Sequence, residues 1–518
     1  MWNKIFNMWT ERRIRIAFVS SFVWGIMAHG MALFNHFHFH DDIAQLQGVG
    51  NGPVSSGRWF LSFLEYLESW ITLTPSWYTL CVPLLHGTVS LFLIACISCL
   101  LIVFLDIKSI VSVCIVSGIL CVYPSVTCAF AYLSTTPYYM LGLSLGIIGV
   151  VILSKKQMDL RFTLLGVFLM VLSISIYQAY IPFMLTVFLL ALIKDILENE
   201  KAKTNYIIKR GLRFVFYCII SVSIYLLIVK LSLWVTGREF TDYNDANDWS
   251  VNPLDYLCRI PIAYWRFIVP DHTLFIHRRF IFILVGLFLF VSGYVCVDVI
   301  RKNRRNGLLL TALLCLFPFT LDFIYVMCPY DTIYAMMLYA NTLMFVVLVR
   351  FVEYISISCS GSGRWIKTIS IAACSIMLYT FILFDNMCYL KSDFCKHQAI
   401  SYFTTLISQI KCTPGYSSDM KVVYINEQTI KDPNLEDTFY WIKLPPFCST
   451  EEYINDYEWK NYMKLWCGYS PKEANPLDFE FLPEVKAMSS YPNDGSIAII
   501  NGTIVVKLGT EPVEVLYH

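Results

Sequence analysis

Predominantly apolar runs of about 17 to 25 residues recur along the first three quarters of the chain, each bounded by short polar or basic stretches and long enough to cross a bilayer as a helix. Read this way, the sequence predicts about eleven spans, at 14–34, 76–105, 110–130, 138–154, 162–177, 180–194, 212–235, 280–300, 308–327, 333–351 and 366–386. The stretch from Phe162 to Ile193 is apolar enough to be one bent helix. It is divided here because Gln178 to Pro182 brings polar groups, and a residue without an N–H, into the run. The last quarter reads as a small α/β domain, with a helical stretch over about Cys388–Lys411, strand-like runs Lys421–Asn426, Ser496–Ile500 and Gly502–Lys507, and a turn at Asn501-Gly502.

Charge sets the expected orientation. Lys and Arg crowd one alternating set of connections, with Arg12, Arg13 and Arg15, then Lys155, Lys156 and Arg161, then Lys201 through Arg213, then Arg301 through Arg305. The opposite set holds only Arg58, Arg238, Arg259, Arg266, Arg278 and Arg279. Basic loops stay on the cytoplasmic side, so the N-terminus is expected inside. An odd number of spans then puts residues 387–518 outside, together with the long loops 35–75 and 236–279. The expected organisation is an all-α transmembrane domain over 1–386 and an extracytoplasmic α/β domain over 387–518.

Composition narrows the class. Of 518 residues 57% are hydrophobic and only 15% charged, with a mean hydropathy of +0.58, which excludes an ordinary soluble domain with about 25% charged residues. A formal charge of +1 leaves no basic field for nucleic acid, and 16% aromatics exclude a disordered chain. The 18 cysteines fall mostly singly inside apolar runs, where a thiol acts as a small hydrophobe. Cys388, Cys395, Cys412, Cys448 and Cys467 would lie in an oxidising compartment, which leaves room for one or two disulfides and an odd thiol.

The long loops carry the candidate chemistry. The first opens Asn35-His36-Phe37-His38-Phe39-His40-Asp41-Asp42 and continues to Ser55-Ser56-Gly57-Arg58-Trp59. Two vicinal carboxylates repel, which raises one pKa and suits it to accept a proton near neutral pH; alternatively, either acid caps a short interfacial helix. The three alternating histidines suit a metal on a strand or a wet polar edge, and no metal site is assigned. In the second loop, Thr241 to Trp249 has the acidic spacing of a Ca²⁺ loop without its glycine and terminal acid, and reads as solvated. Beyond it Arg259, Arg266, His272, His277, Arg278 and Arg279 alternate with aromatics, a pattern suited to a lipid phosphate or to anchoring on anionic headgroups. Lys230 and Asp322 are ionisable residues within spans, free to pair with each other or face a cavity, whereas His29 and His86 read as core histidines. The short turns Ser134 to Tyr139, Tyr177-Gln178-Ala179-Tyr180 and Pro329-Tyr330-Asp331 offer rings and hydrogen-bonding groups of the kind that grip sugars.

Taken in order, Asn35-His36-Phe37 through His40-Asp41-Asp42 to Ser56-Gly57-Arg58-Trp59, the Tyr177-Gln178-Ala179-Tyr180 turn, and the closing Val505-Val506-Lys507-Leu508 resemble the type II serotype-converting membrane glucosyltransferases. The resemblance covers most of the chain. It implies the GT-C architecture in the bacterial inner membrane and a polyprenyl-phosphate-linked sugar as donor. It further implies a surface polysaccharide or lipid-linked glycan as acceptor, transfer with inversion, and Asp41 or Asp42 as base. The phosphate ligands do not follow from any motif; Arg58, Arg266, Arg278, Arg279 and Lys230 are chemical candidates. His40, Trp59, Tyr177, Gln178, Tyr180, Tyr330 and Asp331 are candidates for the sugar or acceptor. No cofactor is called for, a divalent cation is left open, and the partners are lipids and glycans with no nucleic acid. Two other readings share these features, a flippase of lipid-linked sugars and a related lipid-phosphate-dependent polymerase or ligase.

Overall fold

The computed structural model describes residues 11–37, 42, 52–73, 81–155, 159–199, 203–241, 253–270, 274, 278–329, 332–358, 362–426, 436–444 and 459–509. The chain forms two compact units. The first comprises Met1–His36 and Gly48–Met387; the second comprises Phe37–Gln47 and Cys388–His518.

The first unit is helical. Among the described residues eight helices are long and apolar enough to cross a membrane, or nine when Ile110–Val122 and Pro124–Phe130, bent by 42°, count as one broken span. With such helices the chain is a membrane protein. The remaining predicted runs are also helical, but Leu160–Ile176 is shorter, and Arg304–Leu321 begins on two arginines. The expected break falls where it was drawn. Leu160–Ile176 ends at an extended Tyr177 (φ −155°, ψ 111°), a single 3₁₀ turn covers Gln178–Tyr180, and Pro182 sits in the first turn of Ile181–Glu198. The last predicted span, by contrast, does not stop at residue 386. One helix covers Ser362–Cys412, because the polar positions after Asp385 include no glycine or proline to end it.

Small residues set one close helix contact. Thr136–Leu153 and Leu160–Ile176 pack along Gly142, Gly146 and Gly149. A Cβ on Gly149 would lie 2.8 Å from the Gly166 carbonyl oxygen, and one on Gly166 would lie 2.6 Å from Leu153. Large apolar side chains such as Val23, Phe168 and Leu227 point outward, as they do on helices solvated by lipid. Near the end that carries the basic loops, the Glu353 carboxylate accepts the Lys108 and Ser109 N–H groups (3.0 and 2.7 Å) at the start of Ile110–Val122.

In the second unit, strands β1 (Lys421–Ile425), β2 (Ile497–Ile500) and β3 (Thr503–Lys507) form a sheet of order β1-β3-β2. β1 runs parallel to β3, with Val423 opposite Val505, and β2 runs antiparallel to it. The β2–β3 turn is Asn501-Gly502 with φ of 51° and 74°, the left-handed pair a two-residue hairpin demands. One sheet face packs Val422, Tyr424, Ile504 and Val506 on Phe403, Leu406 and Trp459. The other face packs Val423 and Val505 on Phe479 and Val485. Phe37 stacks on Tyr389 within this unit (6.2 Å), and Lys391 is fully buried with its ammonium 2.9 Å from the Ile442 carbonyl and 3.0 Å from Asp437. Cys412 and Cys467 are free thiols, and among the described residues no disulfide joins the cysteines of this domain; Cys448 lies outside them.

Candidate functional site

The chain from Gly52 to Arg58 turns twice in seven residues. Gly52–Ser55 makes a single helical turn, closed by Gly57 N–H to the Val54 carbonyl (3.0 Å) and Arg58 N–H to the Pro53 carbonyl (2.7 Å). Gly57 stands at φ +80°, a left-handed conformation that favours glycine, and the Tyr225 hydroxyl is close enough to meet any side chain added there. Three further bonds fix the turn. The Gln178 side-chain amide donates to the Ser56 carbonyl (2.8 Å) and to the Tyr225 hydroxyl (2.9 Å), and Thr241 N–H donates to the Ser55 carbonyl (3.1 Å). The start of the second long loop is thereby tied to the first.

This turn delivers Arg58 to an aromatic floor. Its guanidinium lies 5.1 Å from the centre of the Tyr177 ring and 3.4 Å from the Tyr139 hydroxyl. Tyr177 packs against Tyr139 (5.1 Å) and Tyr180 (5.3 Å, edge-on); its hydroxyl is buried and has no hydrogen-bond partner among the described residues. The Trp59 indole N–H is unpartnered in the same sense.

The helix that follows, Trp59–Thr72, is inverted relative to a helix of a soluble protein. Phe63, Tyr66, Trp70 and Ile71 are exposed, whereas Leu61 and Ser69 are buried and Glu65 and Glu68 occupy the same inward face at helical spacing. An apolar outer face is stable where lipid surrounds the helix, so acids are left to turn inward. Glu68 accepts a short hydrogen bond from the Tyr138 hydroxyl and lies 3.8 Å from His86 Nε2. His86 Nδ1 accepts the Val82 N–H (3.0 Å), so the ring proton sits on Nε2, toward Glu68. Among the described residues no donor lies within hydrogen-bonding distance of Glu65. Burial, and then the neighbouring Glu68 charge, push its carboxyl up to about 7, against a smaller opposing pull from Arg58.

The first long loop and the 177–180 turn thus bring Arg58, Tyr177, Gln178 and Tyr180 together from among the predicted residues. Trp59 begins the inverted helix beside them. The cations of the second loop divide. Arg266 is the charged neighbour of the buried Asp322; Arg279 is exposed; and Arg278 starts the helix Arg278–Lys302. Lys230 is exposed on Thr204–Thr236, and the charged neighbour of Asp322 is Arg266 rather than Lys230. Asp42 is buried within the second unit, while His40, Asp41, Tyr330, Asp331 and the acidic stretch 242–248 lie outside the described residues. His29 is a core histidine, bonded to the Cys121 carbonyl (2.8 Å) and stacked on Phe130 (4.6 Å). His86 is a buried histidine too, its Nδ1 accepting the Val82 N–H and its Nε2 3.8 Å from Glu68. Among the described residues no three His, Cys, Asp or Glu side chains converge to hold a metal ion. Lys507, in the closing motif, donates to the carbonyls of Val485 (3.2 Å), Lys486 (3.0 Å) and Met488 (2.8 Å), and so holds the sheet to the helix Pro483–Ala487.

Sequence reasoning missed Glu65 and Glu68. The signal was present in the residues, since Phe60, Phe63, Leu64 and Ile71 form an apolar stripe with both acids off it, but its meaning depends on lipid being the solvent on the apolar side.

These features define a polytopic membrane protein with a cation, tyrosines and carboxylates gathered at the loop end of its helices. The family model described as Glucosyl transferase GtrII matches residues 30–349, more than half of the chain and all of this cluster, and the chain belongs to that family. Membership supports glucosyl transfer as its function. No curated protein and no solved structure matches the chain.

Proposed function

We propose that the protein moves glucose from polyprenyl-phosphate glucose to a cell-surface polysaccharide of the O-antigen kind, on the outer face of a bacterial inner membrane, by a GT-C-type inverting reaction. The N-terminus is cytoplasmic, and the loops 35–75 and 236–279 face outward with residues 387–518. The observation that carries this reading is the Arg58 guanidinium, held over Tyr177 by a turn that Gln178 and Gly57 fix. A planar cation on an aromatic floor beside a lipid-facing helix suits a phosphate whose polyprenyl chain stays in the bilayer. Arg58 is favoured over the second-loop cations because it stands over the Tyr177 ring beside the Tyr139 hydroxyl, whereas Arg266 neighbours Asp322 and Arg279 is exposed.

In the reaction an acceptor hydroxyl oxygen attacks the anomeric carbon as the bond from that carbon to the phosphate oxygen breaks. The hydroxyl proton passes to the carboxylate of Asp41 or Asp42, and Arg58 neutralises the charge gathering on the departing polyprenyl phosphate. Tyr177, Tyr180 and Gln178 shape the wall beside the phosphate. The test is consumption of polyprenyl-phosphate glucose by the purified protein with a surface-glycan acceptor. Wild type should form product and Arg58→Ala should lose most of it; undiminished transfer by Arg58→Ala would move the phosphate site elsewhere.

A further inference from the structure

We propose that Glu65 is the acid of this site: in its neutral form it donates a hydrogen bond to the donor phosphate beside Arg58 and gives up its proton to the phosphate oxygen released on transfer. The proposal rests on the reading that Arg58 takes the donor phosphate. Its geometry comes from the inverted helix, which holds Glu65 on the inward face between Arg58 at the start of the helix and Glu68 one turn on. Glu68 is already engaged, with the Tyr138 hydroxyl and His86, whereas among the described residues Glu65 has no hydrogen-bond donor of its own. The buried Tyr177 hydroxyl, also without a partner among the described residues, lies within the field of the same guanidinium. Arg58 thus acts on Glu65, which Glu68 already repels, before any ligand arrives. A phosphodiester anion entering there adds a third negative charge, and the least costly adjustment is to keep Glu65 protonated, which turns a repelling acceptor into a donor.

The charged groups acting on Glu65 are Glu68 and Arg58; the elements around the cluster present Tyr177, Tyr139, Tyr138 and His86. Burial and Glu68 already hold the Glu65 proton to about 7, so the neutral acid is well populated at physiological pH. The step balances. The O–H bond of Glu65 breaks as a new O–H forms on the phosphate oxygen that loses its bond to the anomeric carbon, and Glu65 is left as a carboxylate. The acceptor proton goes separately to the base, and water restores both groups between turnovers.

The experiment is equilibrium binding of polyprenyl-phosphate glucose to the full-length protein in lipid nanodiscs from about pH 6 to about pH 8, alongside transfer to the acceptor. For wild type the dissociation constant should climb with pH, approaching tenfold per unit above the Glu65 titration. Glu65→Gln, which always donates, should bind with a flat profile and yet transfer roughly 100-fold more slowly for want of a proton. A flat wild-type profile, or a Glu65→Gln variant that keeps the wild-type slope, overturns the role of Glu65 while leaving the donor reading intact. Failure of wild type to bind the lipid at any pH overturns the donor reading, and this proposal with it.

Discussion

Gly57→Ala probes whether the turn before Arg58 is as tightly determined as its geometry indicates. Two costs arise. An L-residue at φ +80° gives up about 1–2 kcal/mol. Its Cβ would also sit 2.5 Å from the Tyr225 hydroxyl and 3.1 Å from the Gln178 amide nitrogen, an overlap that core substitutions value at about 1–3 kcal/mol. The sum, about 2–5 kcal/mol, exceeds what the turn's hydrogen bonds return, so the turn should shift and carry Arg58 off the Tyr177 ring. A displacement of about 1 Å at a reacting centre costs roughly 100-fold in rate. Gly237 supplies an internal control, because it stands at φ +64° with nothing within 4 Å of an added Cβ and so would incur the backbone cost alone. Thermal unfolding and glucosyl transfer, measured for both variants, separate the two contributions. Gly237→Ala should lose only about 1–2 kcal/mol, Gly57→Ala clearly more, and Gly57→Ala with Tyr225→Phe should recover part of the difference despite losing the Gln178 bond. Equal effects of the two alanines, or full transfer by Gly57→Ala, would refute the argument that overlap at this turn positions Arg58.

Two further predictions concern stability. Lys507→Met removes the donor to three carbonyls at the end of Pro483–Ala487 and should destabilise the second unit by about 2–4 kcal/mol; hydrogen exchange at β1 and β3 would register the loss, and unchanged protection would contradict the structural role of this lysine. Because the folded state holds the Glu65 proton to about 7, above its ordinary 4.5, the stabilisation from that proton is complete below about 4.5 and disappears as pH rises through about 7. The thermal stability of wild type relative to Glu65→Gln should therefore fall between about pH 5 and about pH 8, and a constant difference would argue against a half-buried, proton-holding carboxyl.

How much of this was legible in the sequence depended on whether the signal was local. The helical runs, the break at Gln178–Pro182 and the Asn501-Gly502 hairpin were readable because each rests on composition or backbone preference within a few residues. The long helix Ser362–Cys412 was divided in advance because polar residues after Asp385 resemble a span ending, although chemistry that ends a helix is absent there. The site was half legible. Arg58, Tyr177 and Gln178 were nominated separately, but their meeting depends on Tyr225 and on a positive-φ glycine far apart in the chain. Glu65 and Glu68 escaped notice because residues 59–72 were taken only as part of a long outer loop, whereas they form a helix whose apolar face is outermost. Asp322 was noticed as costly, yet its neighbour is Arg266 from the second loop, which spacing does not reveal.

The central claim is transfer of glucose from a lipid phosphate at the first long loop. Its most direct test is the movement of labelled glucose from polyprenyl-phosphate glucose to surface polysaccharide by wild type, Asp41→Asn, Asp42→Asn and Arg58→Ala at matched expression. The account predicts transfer by wild type, loss with one of the two asparagine variants, and loss with Arg58→Ala; full transfer by all three variants, or none by wild type with intact donor and acceptor, would contradict it.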